Sequence, residues 1–254
     1  MQFETLSFAL SPRGVAEITF NRPERGNALN AGMLGELHML FGRIAEDEGV
    51  RVVTLAGNGK HFCAGADLTD AGRSETAGPA GATLHDVLQT LESFPKPTIA
   101  VVHGGAIGAG AAIAACCDIV MAGSGAFFSI PEVRVGIAPV RLAPLLIRAM
   151  GHRNFRRYAM TGERIDADEA LRIGLVHAVC PGDLLSSAVA DVADALLHGA
   201  PMAIRQLKSA CVSLAPSGSP PASLDQPAGI AKSAEAIEGI AAFREKRKPK
   251  WYPQ

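Results

Sequence analysis

Twice in this chain a short apolar run breaks into a glycine turn and is followed at once by residues with almost no side chain. The first run, residues 50–57, leads through Asn58-Gly59-Lys60-His61-Phe62-Cys63 to Ala64-Gly65-Ala66-Asp67-Leu68. The second, residues 98–103, leads through Gly104-Gly105-Ala106-Ile107 to Gly108-Ala109-Gly110-Ala111-Ala112. Strand, turn and helix repeated in that order constrain the chain to an α/β architecture with parallel pairing. Small residues at such turns let a ligand approach the backbone closely. The free N–H groups at a helix start carry partial positive charge, so each turn could hold a developing oxyanion. Either turn alone is equally well explained as a tight strand–helix connection.

The rest of the chain keeps the same rhythm. Alternating runs at 3–10 and 15–21, split by Ser11-Pro12-Arg13-Gly14, predict a β-hairpin. A polar loop follows, and then Met33, Leu34, Leu37, Leu40, Phe41 and Ile44 recur at helical spacing. Residues 108–117 read as a small-residue helix and 118–122 as a strand. Residues 144–150, 155–160 and 166–173 read as helices, the last with Asp166 as N-cap and Gly174 as terminator. A short strand is expected at 175–179. Beyond Leu184 only helices are expected, at 185–197, 202–214 and 228–243, the last ending in a basic run. Two stretches rich in Gly, Ser, Pro or Ala, at 69–83 and 215–226, read as loops.

Composition narrows the function. Hydrophobic residues at 48% suffice for a sizeable core, and a formal net charge of -1 supplies no field to draw nucleic acid or an anionic membrane. Apolar stretches break well short of the roughly 18 residues a membrane span needs, and no secretory signal opens the sequence. Five cysteines, an odd number with Cys116 and Cys117 adjacent, fit no disulfide framework and suit a reducing cytoplasm. Scattered histidines with no metal-ligand spacing give no reason to expect a metal. A dinucleotide fold is the competitor for Gly108-Ala109-Gly110, but Ile113 stands at the third glycine position and no acidic residue follows at a strand end about 20 residues on.

One further segment bears on chemistry, Phe127-Phe128-Ser129-Ile130-Pro131-Glu132-Val133-Arg134-Val135-Gly136. A carboxylate in apolar company has its pKa raised by desolvation, which suits proton transfer. The alternative is an ordinary ion pair between Glu132 and Arg134 or another cation.

Taken together and in order, these segments resemble the crotonase superfamily, the enoyl-CoA hydratases and isomerases. The resemblance rests on Asn21-Arg22-Pro23, Asn27-Ala28-Leu29-Asn30, Phe62 through Leu68, Lys96-Pro97, Gly104 through Asp118, Pro131-Glu132 and Phe243-Arg244-Glu245-Lys246-Arg247. It implies a crotonase-type spiral of ββα units over residues 1–195 and a helical oligomerisation region over 196–254, assembling as a homotrimer or a dimer of trimers. It implies an acyl-CoA thioester substrate, with coenzyme A as part of the substrate and no separate cofactor, metal, nucleic acid or membrane partner. The backbone N–H groups of Ala66 and Ala109 would polarise the thioester carbonyl, and Glu132 would be general base and acid. Arg25, Ala28, Ala64, Asp67 and Leu68 would line the CoA path, with Phe243 and Lys246 reaching CoA from a neighbouring subunit.

The chain departs from the family pattern at one consequential place. Hydratases commonly carry two glutamates, and the first would fall at Ala112, which cannot titrate. A single glutamate at the Glu132 position matches the family's Δ3-Δ2 enoyl-CoA isomerases. The run from Glu132 to Val140 instead resembles the branch hydrating 3-methylglutaconyl-type CoA esters, where Arg141 could meet a distal carboxylate, although a surface arginine beside a helix start is the readier expectation for it. Hydration of a 2-enoyl-CoA is therefore the first expectation, double-bond isomerisation the second, and a non-catalytic acyl-CoA binder the third.

Overall fold

A computed structural model describes residues 3–69, 81–213 and 233–253. The predicted hairpin forms from β1 (Leu6–Leu10) and β2 (Val15–Phe20), antiparallel with Leu6 opposite Phe20. In β2 the alternation is strict: Ala16, Ile18 and Phe20 point into the core while Glu17 faces water. β3 (Val52–Gly57), β4 (Thr98–Val102), β6 (Ile119–Gly123) and β9 (Ala178–Cys180) add on in parallel, giving a six-stranded sheet in the order β1-β2-β3-β4-β6-β9. These parallel strands read as continuous apolar runs because both faces of the sheet are covered.

The helices follow from similar arithmetic. In α1 (Ala31–Glu46) the side chain of Asn30 caps the start by accepting from Met33 N–H, and Met33, Leu37, Leu40, Phe41 and Ile44 form the buried stripe. α2 (Leu84–Glu92) opens with a capping box between Thr83 and Asp86. α3 (Ala109–Cys116) is built of small residues because its first turn lies against Cys63, in the segment that follows β3. A Cβ on Gly110 would sit 2.5 Å from the carbonyl oxygen of Cys63. α4 (Ala143–Met150), α5 (His152–Thr161) and α6 (Ala167–Arg172) complete the spiral, α6 capped by Asp166 as expected. α7 (Leu185–His198) covers the sheet's second face, packing Leu185, Val189, Ala193 and Leu197 on Val52, Ile99 and Met121. Residue 195, where the spiral was expected to end, lies within this helix. α8 (Pro201–Ser213) and α9 (Ala234–Glu245) follow.

Three features depart from the sequence reading. The expected strand at 175–179 begins only at Ala178, because the N–H groups of Leu175 and Val176 both turn to the carbonyl of Ala170. A second sheet, in the order β5-β7-β8, is formed by β5 (Gly105–Ile107), β7 (Phe127–Ser129) and β8 (Ile165–Asp166). At two or three residues each, these strands are too short to show a period. No helix begins at Ala66: through Thr69 the chain makes an isolated bridge between Leu29 and Ala66 and then a turn. Of the two expected loops, residues 70–80 and 215–226 lie outside the described residues, as do residues 214 and 228–232 of the expected helices.

Candidate active site

The two glycine turns of the sequence meet in space. Cys63 and Ala106 form a parallel bridge, with Cys63 N–H donating to Gly105 O (3.1 Å) and Ile107 N–H to Cys63 O (2.9 Å). A Cβ on Gly65 would lie 2.9 Å from Ile107 O and 3.8 Å from the Ala109 nitrogen. Ala66 and Ala109 therefore stand on adjoining backbone. The bonds that fix the first turn run from Leu29 N–H to Gly65 O (2.8 Å) and from Asp67 N–H to Leu29 O (2.9 Å), so they employ the amide on one side of Ala66, and its own N–H has no partner among the described residues. Ala109 is the first residue of α3, where an N–H has no partner within the helix. Ala66 is exposed and Ala109 is buried at 3%. Of the two, Ala66 lies at the surface and Ala109 in the interior.

Glu132 lies against the residue that precedes Ala109. It opens a 3-10 turn, Glu132–Val135, directly after β7. A Cβ on Gly108 would come 2.3 Å from Glu132 Oε1, so the carboxyl rests on the residue preceding Ala109. Gly108 has φ +53, a conformation that a side chain would strain even without the clash. Burial raises the Glu132 pKa, opposed by a hydrogen bond from its own backbone N–H. Its Oε2 is buried with no hydrogen-bond partner among the described residues. Such an atom needs an explanation, and a functional role is among those to be sought. The alternative of an ion pair with Arg134 fails: that guanidinium donates to the carbonyl of Thr161 from Nε (3.3 Å) and Nη2 (3.0 Å). Ala112, one helical turn beyond Gly108, is fully buried at 0% and presents only a methyl.

The residues expected along the CoA path divide into two groups. Arg25, Ala28, Ala64, Asp67 and Leu68 gather on adjacent loops, since Ala64 N–H donates to Gly26 O (2.9 Å) and a Cβ on Gly26 would touch that of Ala64 at 3.2 Å. Arg25 and Leu68 are exposed. Asp67 holds these loops together, pairing with Arg22 at 3.0 Å and accepting from the Thr69 hydroxyl at 2.7 Å. The Thr69 hydrogen bond, with Arg22 behind it, lowers the Asp67 pKa against the opposing effect of burial. Phe243 and Lys246 are not brought to this group. Phe243 is 86% exposed on α9, whose first-turn Glu235 binds the N–H groups of Met202 and Ala203 at the start of α8. Among the described residues, no hydrogen bond or ion pair joins Phe243 or Lys246 to the loops around Ala66. Arg141 is exposed just ahead of α4.

Two side chains that shape the site carry no chemical signature in the sequence. Asn27 is fully buried at φ +59, accepting from Arg22 N–H (2.9 Å) and donating to the carbonyls of Asn58 (2.9 Å) and His61 (2.7 Å). His61 accepts from Gly105 N–H at Nδ1 (3.0 Å), tying the first glycine turn to the second, and burial lowers its pKa. In the sequence Asn27 stood out only within Asn27-Ala28-Leu29-Asn30, and His61 only as part of the first glycine turn. Among the described residues no group of three or more His, Cys, Asp or Glu side chains could hold a metal, and no helix is long and apolar enough to cross a membrane.

The chain as a whole has counterparts among known proteins. A model of the enoyl-CoA hydratase/isomerase family matches residues 11–254. The chain belongs to the enoyl-CoA hydratase/isomerase family. It is 34% identical over 237 residues to the 2,3-dehydroadipyl-CoA hydratase of Escherichia coli, covering 91% of this chain and 92% of that protein. It is 39% identical over 200 residues to the short-chain-enoyl-CoA hydratase of Clostridium acetobutylicum, covering 77% of each. Among solved structures, AtuE of Pseudomonas aeruginosa superposes with a TM-score of 0.90 at 35% identity, covering 98% of this chain and all of that one. The fold is thus the α/β crotonase spiral expected from the sequence, with helices at its C-terminal end.

Proposed function

We propose that this enoyl-CoA hydratase/isomerase family member hydrates a 2-enoyl-CoA thioester, or dehydrates the 3-hydroxyacyl product. The observation that carries this reading is the placement of Glu132, half-buried and resting on Gly108, one residue from the Ala109 N–H, with a buried Oε2 that has no partner among the described residues. The thioester oxygen would lie between the Ala66 and Ala109 amides, where preorganised donors stabilise the charge of an enolate-like transition state. Glu132 would take a proton from the water whose oxygen adds to C3, and then return a proton to C2. A raised pKa suits a group that must both accept and release a proton near neutrality. Coenzyme A enters as part of the substrate, and the mechanism requires no other cofactor.

The buried methyl of Ala112 favours a second reading at the same site. With no titratable group there, Glu132 alone would take a proton from C2 of a 3-enoyl-CoA and deliver it to C4, shifting the double bond. The relatives named as hydratases weigh toward addition of water. Assembly through the C-terminal helices into a trimer, or a dimer of trimers, is supported by the apolar stripe that Ile237, Ile240 and Phe243 expose on α9. Residence in the cytoplasm is supported by five unpaired cysteines.

Crotonyl-CoA and 3-hexenoyl-CoA, followed by thioester absorbance and product analysis, separate the two reactions. Glu132→Gln is expected to abolish whichever occurs while acyl-CoA binding stays close to wild type. Persistence of turnover in that variant overturns the role given to Glu132. Binding of a broad acyl-CoA panel with no turnover by the unaltered protein would mark a binder instead.

A further inference from the structure

Arg134 lies two residues past Glu132 yet turns away from it. Both of its donating nitrogens meet the carbonyl oxygen of Thr161, the last residue of α5. A cation there satisfies an orphan carbonyl and complements the negative end of the helix. The side chain lies flat on Gly162, where a Cβ would approach Nε to 2.7 Å. Gly162 has φ +61 and terminates α5 through its N–H bond to Tyr158 O.

The same corner is held a second time, from the other side of Glu132. Ser129, buried at the end of β7, donates its hydroxyl to Gly162 O (3.2 Å). The Ser129 carbonyl in turn accepts from Gly108 N–H (2.8 Å), directly before Ala109. The Thr161–Gly162 corner therefore anchors the turn that carries Glu132 through Arg134, and the entrance of α3 that carries the Ala109 amide through Ser129.

We infer that Arg134 is a positioning residue, which with Ser129 uses the C-terminal corner of α5 as a common anchor to hold the Glu132 carboxyl over Gly108 and in register with the Ala109 N–H. This rests on the reading of Glu132 as the proton-transfer group. It assigns Arg134 no contact with substrate. Removing its side chain loosens the turn on one side only and leaves the loops around Arg25 and Ala64 untouched. The cost falls on the chemical step, because a displacement of about 1 Å in a reacting group can lower a rate by about a hundredfold.

The test compares Arg134→Met, Arg134→Lys and Ser129→Ala with the unaltered enzyme, by steady-state kinetics on the acyl-CoA that it turns over and by thermal unfolding. Arg134→Met is expected to lower kcat by roughly ten- to a hundredfold with KM within about twofold. Arg134→Lys, which keeps one donor for Thr161 O, should recover much of that loss, and Ser129→Ala should lower kcat in the same pattern. An Arg134→Met enzyme with wild-type kcat overturns the inference, as does a parallel loss of kcat, KM and melting temperature that lysine fails to rescue. Glu132→Gln, run alongside, keeps the two claims apart. If it still turns over, the reading of Glu132 fails, whereas a dead Glu132→Gln beside a fully active Arg134→Met defeats only the anchor.

Discussion

Replacing Asn27 with alanine should harm both stability and turnover, although its side chain touches no expected reacting atom. The Asn27 side chain satisfies one N–H, of Arg22, and two carbonyls, of Asn58 and His61, from a position with no solvent exposure. Each buried polar group left unpaired costs about 1–3 kcal/mol, and water reaching the outer loop will relieve part of that, leaving about 2–4 kcal/mol in all. Alanine must also adopt φ +59, which asparagine tolerates better, for about 1 kcal/mol more. A total of about 3–5 kcal/mol corresponds to a fall in Tm of roughly 6–20 °C for a chain of this size. The same loops carry the Gly26 and Leu29 bonds that fix the Ala66 turn, so kcat/KM should fall by about tenfold. That is less than the hundredfold or more expected for outright loss of an oxyanion donor. Asn27→Gly removes the same hydrogen bonds without the backbone strain and should be about 1 kcal/mol more stable than Asn27→Ala. Thermal and urea unfolding, with acyl-CoA turnover measured on the same preparations, read all three quantities. A loss of stability below about 0.5 kcal/mol in Asn27→Ala, or no difference between the alanine and glycine variants, refutes the reasoning.

Other substitutions test the site from different directions. Glu132 holds its proton longer in the folded state than in the unfolded one, because burial raises its pKa. The folded chain thus binds the extra proton, and stability falls as pH rises from the ordinary glutamate range through the raised value. Glu132→Gln should consequently flatten that part of the pH–stability curve and be at least as stable as wild type at pH 7, while wild-type turnover that needs the carboxylate rises through the same displaced pKa. Gly108→Ala places a methyl 2.3 Å from Glu132 Oε1 at a positive φ, so kcat should fall by about a hundredfold or more while circular dichroism still reports a folded chain. Asp67 has its folded pKa lowered, so its contribution is present at neutral pH and is lost as pH falls below the ordinary aspartate range. Asp67→Asn should therefore narrow the stability gap between pH 7 and pH 3, and an unchanged gap would exclude a stabilising role for the Asp67 carboxylate, held by Thr69 and Arg22.

What the sequence made legible was decided by how locally each feature is encoded. β2 and α1 bury strict periodic stripes, and α6 begins at a side-chain cap, so each could be located from neighbouring residues alone. Glu132 stood out as a carboxylate among apolar residues, but only the placement of Arg134 on Thr161 separates an unpaired carboxyl from an ion pair. The two glycine turns show the limit most clearly. Ala64-Gly65-Ala66 suggested a helix entrance, yet the Ala66 N–H has no partner among the described residues because Leu29, 37 residues earlier, bonds to the units on either side of it. Likewise β5, β7 and β8 are held by pairing between residues as far apart as Gly105, Phe127 and Asp166, with no internal period to announce them. The small residues of α3 were visible from the start, and their cause was not. Gly110 must admit the Cys63 carbonyl, and Gly108 must admit the Glu132 carboxyl. One glycine-rich helix entrance therefore serves two partners, one supplied from before it in the chain and one from after it, and Ala112, one turn further along α3, carries a methyl where a second carboxylate was expected.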